Sequence, residues 1–295
     1  MSSIVLAKFC HTSAIDFKAF GLYNKNVERR IVMDSKFLVK ERPTLTTMLK
    51  ASTTENLLAQ IEKILEQGTD AFGFQIDMLK PEERCEKTYR TIFDAMQGKP
   101  CYVTNYYRGN PTPQTDDELM DGLFTAVSCA ETLDSIIIDM PGDTFDRVSG
   151  EFTENPEAVE KQIKVIEKFH SVGAEVLMSS HVLKYIPCDE VLKIANGHKE
   201  RGADVSKIVT DANSDAELLN NLRTSVVLKE TLGIPSLFLC NGTHCEKHRI
   251  LGPALGSDMF LVIENSLDGI CPQPTIKKAK EILSLAGYKD LPKGV

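Results

Sequence analysis

Apolar positions recur along the chain in two alternating modes. Short runs rich in β-branched and aromatic residues are separated by longer stretches in which apolar residues return every three or four positions. The first long stretch, from Thr54, places Leu57, Leu58, Ile61, Ile64 and Leu65 on one helical face. Strands are predicted at 44–50, 71–78, 101–107, 135–140, 175–181, 203–209, 236–241 and 259–264. Helices are predicted from 54, over 82–97, from 115, from 155, over 188–199, from 214 and over 275–286. Start signals sharpen three of them. Thr115-Asp-Asp-Glu118 and Ser214-Asp-Ala-Glu217 read as capping boxes, and Asn155-Pro156 as a cap followed by proline at the first helical position.

Strands alternating with helices imply a parallel sheet covered on its outer face. Eight alternations favour closure into a (β/α)8 TIM barrel, which needs about 250 residues; the 295 of this chain leave room for an extension. The expected organisation is an N-terminal extension over 1–42 and a barrel over 43–295. The extension has weak periodicity and carries Lys25, Glu28, Arg29 and Arg30. A hairpin closing the barrel bottom and an oligomer contact are both open for it. A doubly wound nucleotide-binding fold would want a Gly-rich turn after its first strand, and neither G-x-G-x-x-G nor a P-loop occurs.

Hydrophobic residues make up 42% of the chain and charged ones 26%, an ordinary globular balance. The net charge of −8 disfavours non-specific nucleic-acid binding while leaving room for a local basic pocket. The longest apolar runs are strand-sized, which predicts no membrane span. The N-terminus lacks the pattern of a signal peptide. Cys101, Cys129 and Cys240 lie in apolar elements and read as buried free thiols, which fits a reducing cytoplasm.

In a β/α barrel the active site lies at the C-terminal strand ends. That rule selects Gln75 and Asp77 on the second strand, and Thr104, Asn105, Tyr106 and Arg108 on or just beyond the third. It adds Asp139 on the fourth, Ser179, Ser180 and His181 on the fifth, Lys207 on the sixth, and Asn241, His244 and Arg249 after the seventh. Lys207, between Val205 and Ile208, is the candidate nucleophilic amine, because burial disfavours a charged ammonium. Snorkelling to solvent or pairing with Asp204 is its bland alternative. His181, on the neighbouring strand end, is the candidate proton carrier. Arg249 is suited to a substrate carboxylate. Cys240, His244, Cys245 and His248 have zinc-compatible side chains but lack zinc spacing, so no metal is expected.

Three segments carry a resemblance to a known family: Val176-Leu-Met-Ser-Ser-His181, Ala203-Asp-Val-Ser-Lys-Ile208, and His248-Arg-Ile-Leu-Gly252 followed by Leu255-Gly-Ser257. Over about residues 43–286 the chain resembles the type I 3-dehydroquinate dehydratases. Gly269-Ile-Cys-Pro-Gln-Pro274 falls where that family has its closing substrate loop. The resemblance implies a cofactor-free, metal-free barrel, commonly a homodimer, acting on a carboxylated keto acid. In that reading Lys207 forms an imine with the substrate ketone, His181 moves the protons, and Arg249 holds the carboxylate. Gln75, Arg108, Tyr106, Asn241 and Gln273 are the further substrate-binding candidates.

The departures from the family pattern are as informative. The family's Glu-x-Arg-x-Asp strand is Gly73-Phe-Gln75-Ile-Asp77 here, and Tyr106 stands at an arginine position with Arg108 two residues later. The acidic residue that should orient the histidine falls near Asn110, Val182 follows the histidine, and Ile270 and Pro274 replace the loop serine and glutamine, with Gln273 adjacent. The long 141–155 loop is unusual. A site that hydrogen-bonds hydroxyls discriminates strongly through them, so these changes point to a different, less hydroxylated substrate or to weak activity. A class I aldolase-like lyase and a non-catalytic ligand-binding barrel are the alternatives.

Overall fold

The computed structural model describes residues 35–109, 114–265 and 273–295. Its core is an eight-stranded parallel sheet built from β1 (Thr44–Met48), β2 (Ala71–Gln75), β3 (Cys101–Thr104), β4 (Ile136–Pro141), β5 (Glu175–His181), β6 (Val205–Asp211), β7 (Ser236–Asn241) and β8 (Met259–Val262). The spatial order is β7-β6-β5-β4-β3-β2-β1-β8. At the seam the Asp258 amide donates to Ser236 O at 2.9 Å, and the Asp258 carboxylate accepts from the Ser236 amide at 2.8 Å. The molecule is a (β/α)8 barrel, nearly closed. The outer layer comprises α1 (Thr54–Gln67), α2 (Glu86–Ala95), α3 (Asp116–Ser128), α4 (Pro156–Ser171), α5 (Cys188–Glu200), α6 (Asp215–Thr231), α7 (Cys245–Leu255) and α8 (Ile276–Leu285).

Alternation along each strand sorts side chains between two cores. Phe72, Phe74, Cys101, Val103, Ile136, Ile138, Val176 and Met178 face outward, in one cluster with Leu57, Ile61, Ile64 and Leu65 of α1. Met48, Ala71, Tyr102, Ile137, Leu177, Val205, Leu237 and Met259 face inward and form the barrel interior with Phe37. Phe37 is 2% exposed. Its amide and that of Lys36 donate to Glu175 Oε1 at 3.0 and 2.9 Å. The segment 35–42 therefore floors the barrel; the earlier part of the N-terminal extension, residues 1–34, lies outside the described residues.

Several boundaries differ from the sequence reading, and each difference has a local cause. β2 ends at Gln75 and passes into a 3-10 turn, Ile76–Met78. β3 ends at Thr104, and a second turn, Tyr107–Gly109, follows. Asp77 Oδ1 accepts the Tyr106 amide at 3.2 Å, so a side chain replaces a ladder partner there. β6 begins and ends two residues later than predicted, and its extension to Asp211 places Lys207 within the strand rather than near its end. α7 was not predicted: Pro253 and a polar first turn hide its periodicity, and its buried residues are His248, Arg249, Gly252 and Pro253. The box at Ser214 is not reciprocal. Ser214 caps Glu217 N, but Glu217 Oε2 accepts from the Asn213 amide at 2.6 Å instead. The box at Thr115 is complete, and Asn155 caps α4. Cys101, Cys129 and Cys240 are buried free thiols. No helix among the described residues is long and apolar enough to cross a membrane.

Candidate active site

Lys207 is 5% exposed and points inward from β6, level with Ser179 on β5. Its ammonium donates to Tyr106 Oη at 2.6 Å, Tyr102 Oη at 2.9 Å and Asp139 Oδ2 at 3.0 Å. The acid partner is thus Asp139, not Asp204, which accepts from the Val176 amide and contacts His170 Nε2. Asp139 also accepts from Tyr106 Oη at 2.5 Å, from Tyr102 Oη, and from Ser179 Oγ at 2.5 Å. Burial pushes the Asp139 carboxyl up, but the Lys207 charge and the Ser179, Tyr102 and Tyr106 hydroxyls outweigh it and hold the group below the usual carboxylate range. Burial and then the Asp139 charge raise both phenols well above their ordinary value, so both stay protonated donors. The amine therefore sits in a cage of fixed polarity. Removing one member of such a buried pair costs about 3–5 kcal/mol, because the other charge is left uncompensated.

His181 closes the strand next to Lys207, and Tyr106 touches both. The Tyr106 and His181 rings meet edge to face with centroids 5.7 Å apart. On its other side, His181 Nδ1 contacts Glu151 Oε2 at 2.5 Å, and the His181 amide donates to the same oxygen at 3.0 Å. Glu151 Oε1 forms an ion pair with Arg108. Burial, then the Lys207 charge, pushes the imidazole downward. The Asp139 carboxylate opposes that shift, and the Arg108 and Arg249 charges add to it. The form we assign is a neutral ring with its proton on Nδ1 and a lone pair on Nε2.

Sequence reasoning missed Glu151. It looked for the orienting acid near Asn110, which lies outside the described residues, whereas the acid facing His181 comes from the 141–155 loop. Glu151 is 2% exposed and has φ of 51°, a conformation costly for a non-glycine residue and found where surroundings over-determine it. Those surroundings are visible. Ser180 Oγ donates to Glu151 O at 2.6 Å, and Arg201 Nη1 donates to Gly142 O and Gln162 Oε1, both at 2.9 Å. The Arg201 guanidinium lies 4.3 Å from the Phe152 ring centroid. A loop of unusual length is thereby fixed against α4 and α5, with one carboxylate aimed at the histidine. An ion pair within the loop holds it further: Asp143 pairs with Arg147 at 2.7 Å.

The remaining candidates ring the same mouth. Arg249, on α7, is 8% exposed; Nε donates to Cys240 O at 3.1 Å and Nη2 to Asn241 Oδ1 at 3.2 Å. Its neighbours fix it and aim it across the end of β7. Gln75 Oε1 accepts from Lys50 Nζ at 3.1 Å. Arg108 is half-exposed and directed at Glu151 and the Tyr107 hydroxyl. Gln273 is half-buried in the approach to α8, while the rest of the closing loop, 266–272, lies outside the described residues. Asn105 turns away from the mouth and donates to Leu119 O at 3.0 Å. Gly73 has a steric reason: a Cβ there would lie 2.1 Å from Met48 Sδ, so the Met48 thioether fills the space of any side chain at 73. Among the described residues no group of three or more His, Cys, Asp or Glu is placed to hold a metal. Cys240 accepts from Asn221 Nδ2 at 3.0 Å, and His248 packs edge-on against Phe238.

The sequence model of the type I 3-dehydroquinase family matches residues 45–290. A curated relative, the 3-dehydroquinate dehydratase of Alkaliphilus oremlandii (strain OhILAs), is 33% identical over 97 residues, 32% of this chain. That match spans 38% of the relative's length. The type I 3-dehydroquinate dehydratase of Clostridium difficile, solved with covalently modified comenic acid, aligns with TM-score 0.71 at 15% identity, over 84% of this chain and 94% of that one. The 3-dehydroquinate dehydratase of Geobacillus kaustophilus HTA426 aligns with TM-score 0.72 at 15% identity, over 86% of this chain and 95% of that one. At that identity the structural likenesses establish the shared fold.

Proposed function

The chain belongs to the type I 3-dehydroquinase family, and from that membership we propose that it is a Schiff-base-forming carbon–oxygen lyase. Its substrate is 3-dehydroquinate or a related cyclic hydroxy-keto acid, from which it eliminates water. The observation that carries the reading is Tyr106: its hydroxyl holds the Lys207 amine at 2.6 Å while its ring contacts His181. One aromatic side chain thus ties the amine and the imidazole to a single cavity.

The chemistry follows from that arrangement. The Lys207 ammonium sheds a proton toward Asp139, directly or through the two phenols that bridge them. The free amine attacks the ketone carbon and water leaves, giving an iminium on Nζ. The iminium withdraws electrons from the neighbouring C–H bond, so a modest base suffices to break it. His181 Nε2 takes that proton, with Glu151 stabilising the imidazolium through Nδ1. The electron pair released from the C–H bond forms the new double bond as the β-hydroxyl departs with the proton from His181. Water then hydrolyses the imine and restores the amine. Arg249 holds the substrate carboxylate, and no cofactor is required beyond the covalent imine.

Trapping with borohydride in the presence of 3-dehydroquinate tests the reading. The reduced adduct is expected on Lys207 by peptide mass, and absent in Lys207→Met. Turnover without any adduct, or an adduct elsewhere, would refute it.

A further inference from the structure

A polar line crosses the layer between the barrel wall and α5. The helix buries Val191, Ala195 and His198 on a single stripe, and Val191 and Ala195 pack with Ile208 and Phe238 as such a stripe should. His198 is 0% exposed and carries two ring nitrogens into that layer. It meets Ser180 and Ser206, which alternation turns outward from β5 and β6, away from Lys207 and the barrel interior. Nε2 lies 3.0 Å from Ser180 Oγ, and Nδ1 lies 2.9 Å from Ser206 Oγ.

Proton counting gives the line a direction. Ser180 has one hydroxyl proton and donates it to Glu151 O at 2.6 Å, an oxygen that only accepts. Ser180 Oγ must then accept from His198, which puts the ring proton on Nε2. Burial pushes the His198 imidazole down to about 3, so the ring is neutral and its Nδ1 accepts from Ser206. The chain runs from Ser206 through His198 and Ser180 to Glu151 O, each donor meeting one acceptor. It ends on the carbonyl of a residue with φ of 51°, whose carboxylate faces His181. An ion pair to the half-exposed Arg108 is weak, whereas a non-glycine residue at such a φ needs its surroundings to hold it. Gly142 closes over the same point: a Cβ there would lie 2.7 Å from Glu151 O, 3.1 Å from Ser180 Oγ and 3.2 Å from His198 Nε2.

We propose that Ser180 and His198 are positioning residues: from behind the barrel wall they seat Glu151, and through it they fix which nitrogen of His181 carries the proton. With the carboxylate seated, Nδ1 holds the proton and Nε2 keeps its lone pair. With it unseated, the ring takes the Nε2–H form that a neutral imidazole prefers in water, and that nitrogen can no longer accept a proton. The catalytic use of the lone pair rests on the proposed lyase reading; the seating itself does not.

Long-range proton–nitrogen NMR correlation of the imidazoles in the full chain at pH 7 reads the His181 tautomer and needs no substrate. The wild-type ring is expected as Nδ1–H. In Ser180→Ala and in His198→Leu the ratio of Nδ1–H to Nε2–H is expected to fall about ten-fold, the effect of one buried hydrogen bond. His198→Gln, whose amide can donate to Ser180 Oγ, is expected to retain the wild-type ratio. Glu151→Ala should lower the ratio by itself, and adding Ser180→Ala to it should change nothing more, because both act through one group. Thermal melts report whether each variant folds, and Ser180→Ala, which removes a single oxygen, keeps the test alive if His198→Leu does not fold. The proposal is overturned by a wild-type ring with its proton on Nε2, by an unchanged ratio in the folded variants, by His198→Gln behaving as His198→Leu, or by a further fall in the double variant. Failure of borohydride trapping would overturn the imine instead and leave the seating intact.

Discussion

At the residue scale the site consists of two charge arrangements joined by Tyr106. Lys207, Asp139 and two phenols form one, and His181, Glu151 and Arg108 form the other. Lys207 and His181 were legible because strand periodicity places them and the end-of-strand rule selects them. Glu151 was not legible, since its loop has no period and its side chain reaches His181 only after the chain has folded. Its role makes a distinct prediction. Glu151→Gln keeps an acceptor for Nδ1–H but removes the charge that stabilises the imidazolium. With 3-dehydroquinate or whichever substrate is turned over, kcat is expected to fall on the order of 10²-fold with KM within about three-fold, as for loss of a proton-transfer partner. The acid limb of kcat/KM should move to lower pH, because an imidazole without its carboxylate protonates less readily. A structural role alone would not move that limb, and an unchanged kcat would remove Glu151 from the mechanism.

At the element scale the decisive piece is the 141–155 loop. Its conformation depends on α5, where Gly197 faces Phe152: a Cβ at 197 would lie 2.4 Å from the Phe152 Cζ atom. Helix propensity alone says that Gly197→Ala should stabilise the protein by up to about 1 kcal/mol. Overpacking against the aromatic ring says that it should destabilise by about 1–3 kcal/mol. The close contact should win. The variant is then expected to melt at lower temperature and to lose kcat, because displacing Phe152 displaces its neighbour Glu151. A higher melting temperature with full activity would show that the loop does not need this packing. Helices α1, α3 and α4 were readable from stripes and caps, whereas α7 was hidden. Its inward face consists of His248, Arg249, Gly252 and Pro253, so a search for apolar spacing passes over it. The helix nevertheless carries Arg249, the guanidinium proposed to hold the substrate carboxylate.

At the scale of the whole molecule, two buried histidines link stability to pH. His198 and His248 are fully buried, and burial pushes their imidazoles down to about 3 and about 4. In the unfolded chain they titrate near ~6.5. Between those limits the unfolded state binds more protons, so stability is fully present above the unfolded value and is lost as pH falls. Each should cost about 3 kcal/mol of stability by pH 4. Asp139 adds to the loss at lower pH, because its folded value is depressed and its contribution vanishes once it is protonated. Urea midpoints measured from pH 7 down to pH 4 should therefore fall steadily, and a flat profile would contradict neutral burial of these rings.

The sequence by itself determined the β/α alternation, the count of eight strands, and the inward placement of Lys207 and His181. Those features follow from periodicity, a property of neighbours along the chain. Tertiary structure decided which groups those two residues meet. Asp139 rather than Asp204 faces the amine, and Glu151 faces the imidazole. Met48 rather than an acid lines the wall at Gly73. Such pairings depend on distances between strands and loops far apart in sequence, and barrel closure sets those distances.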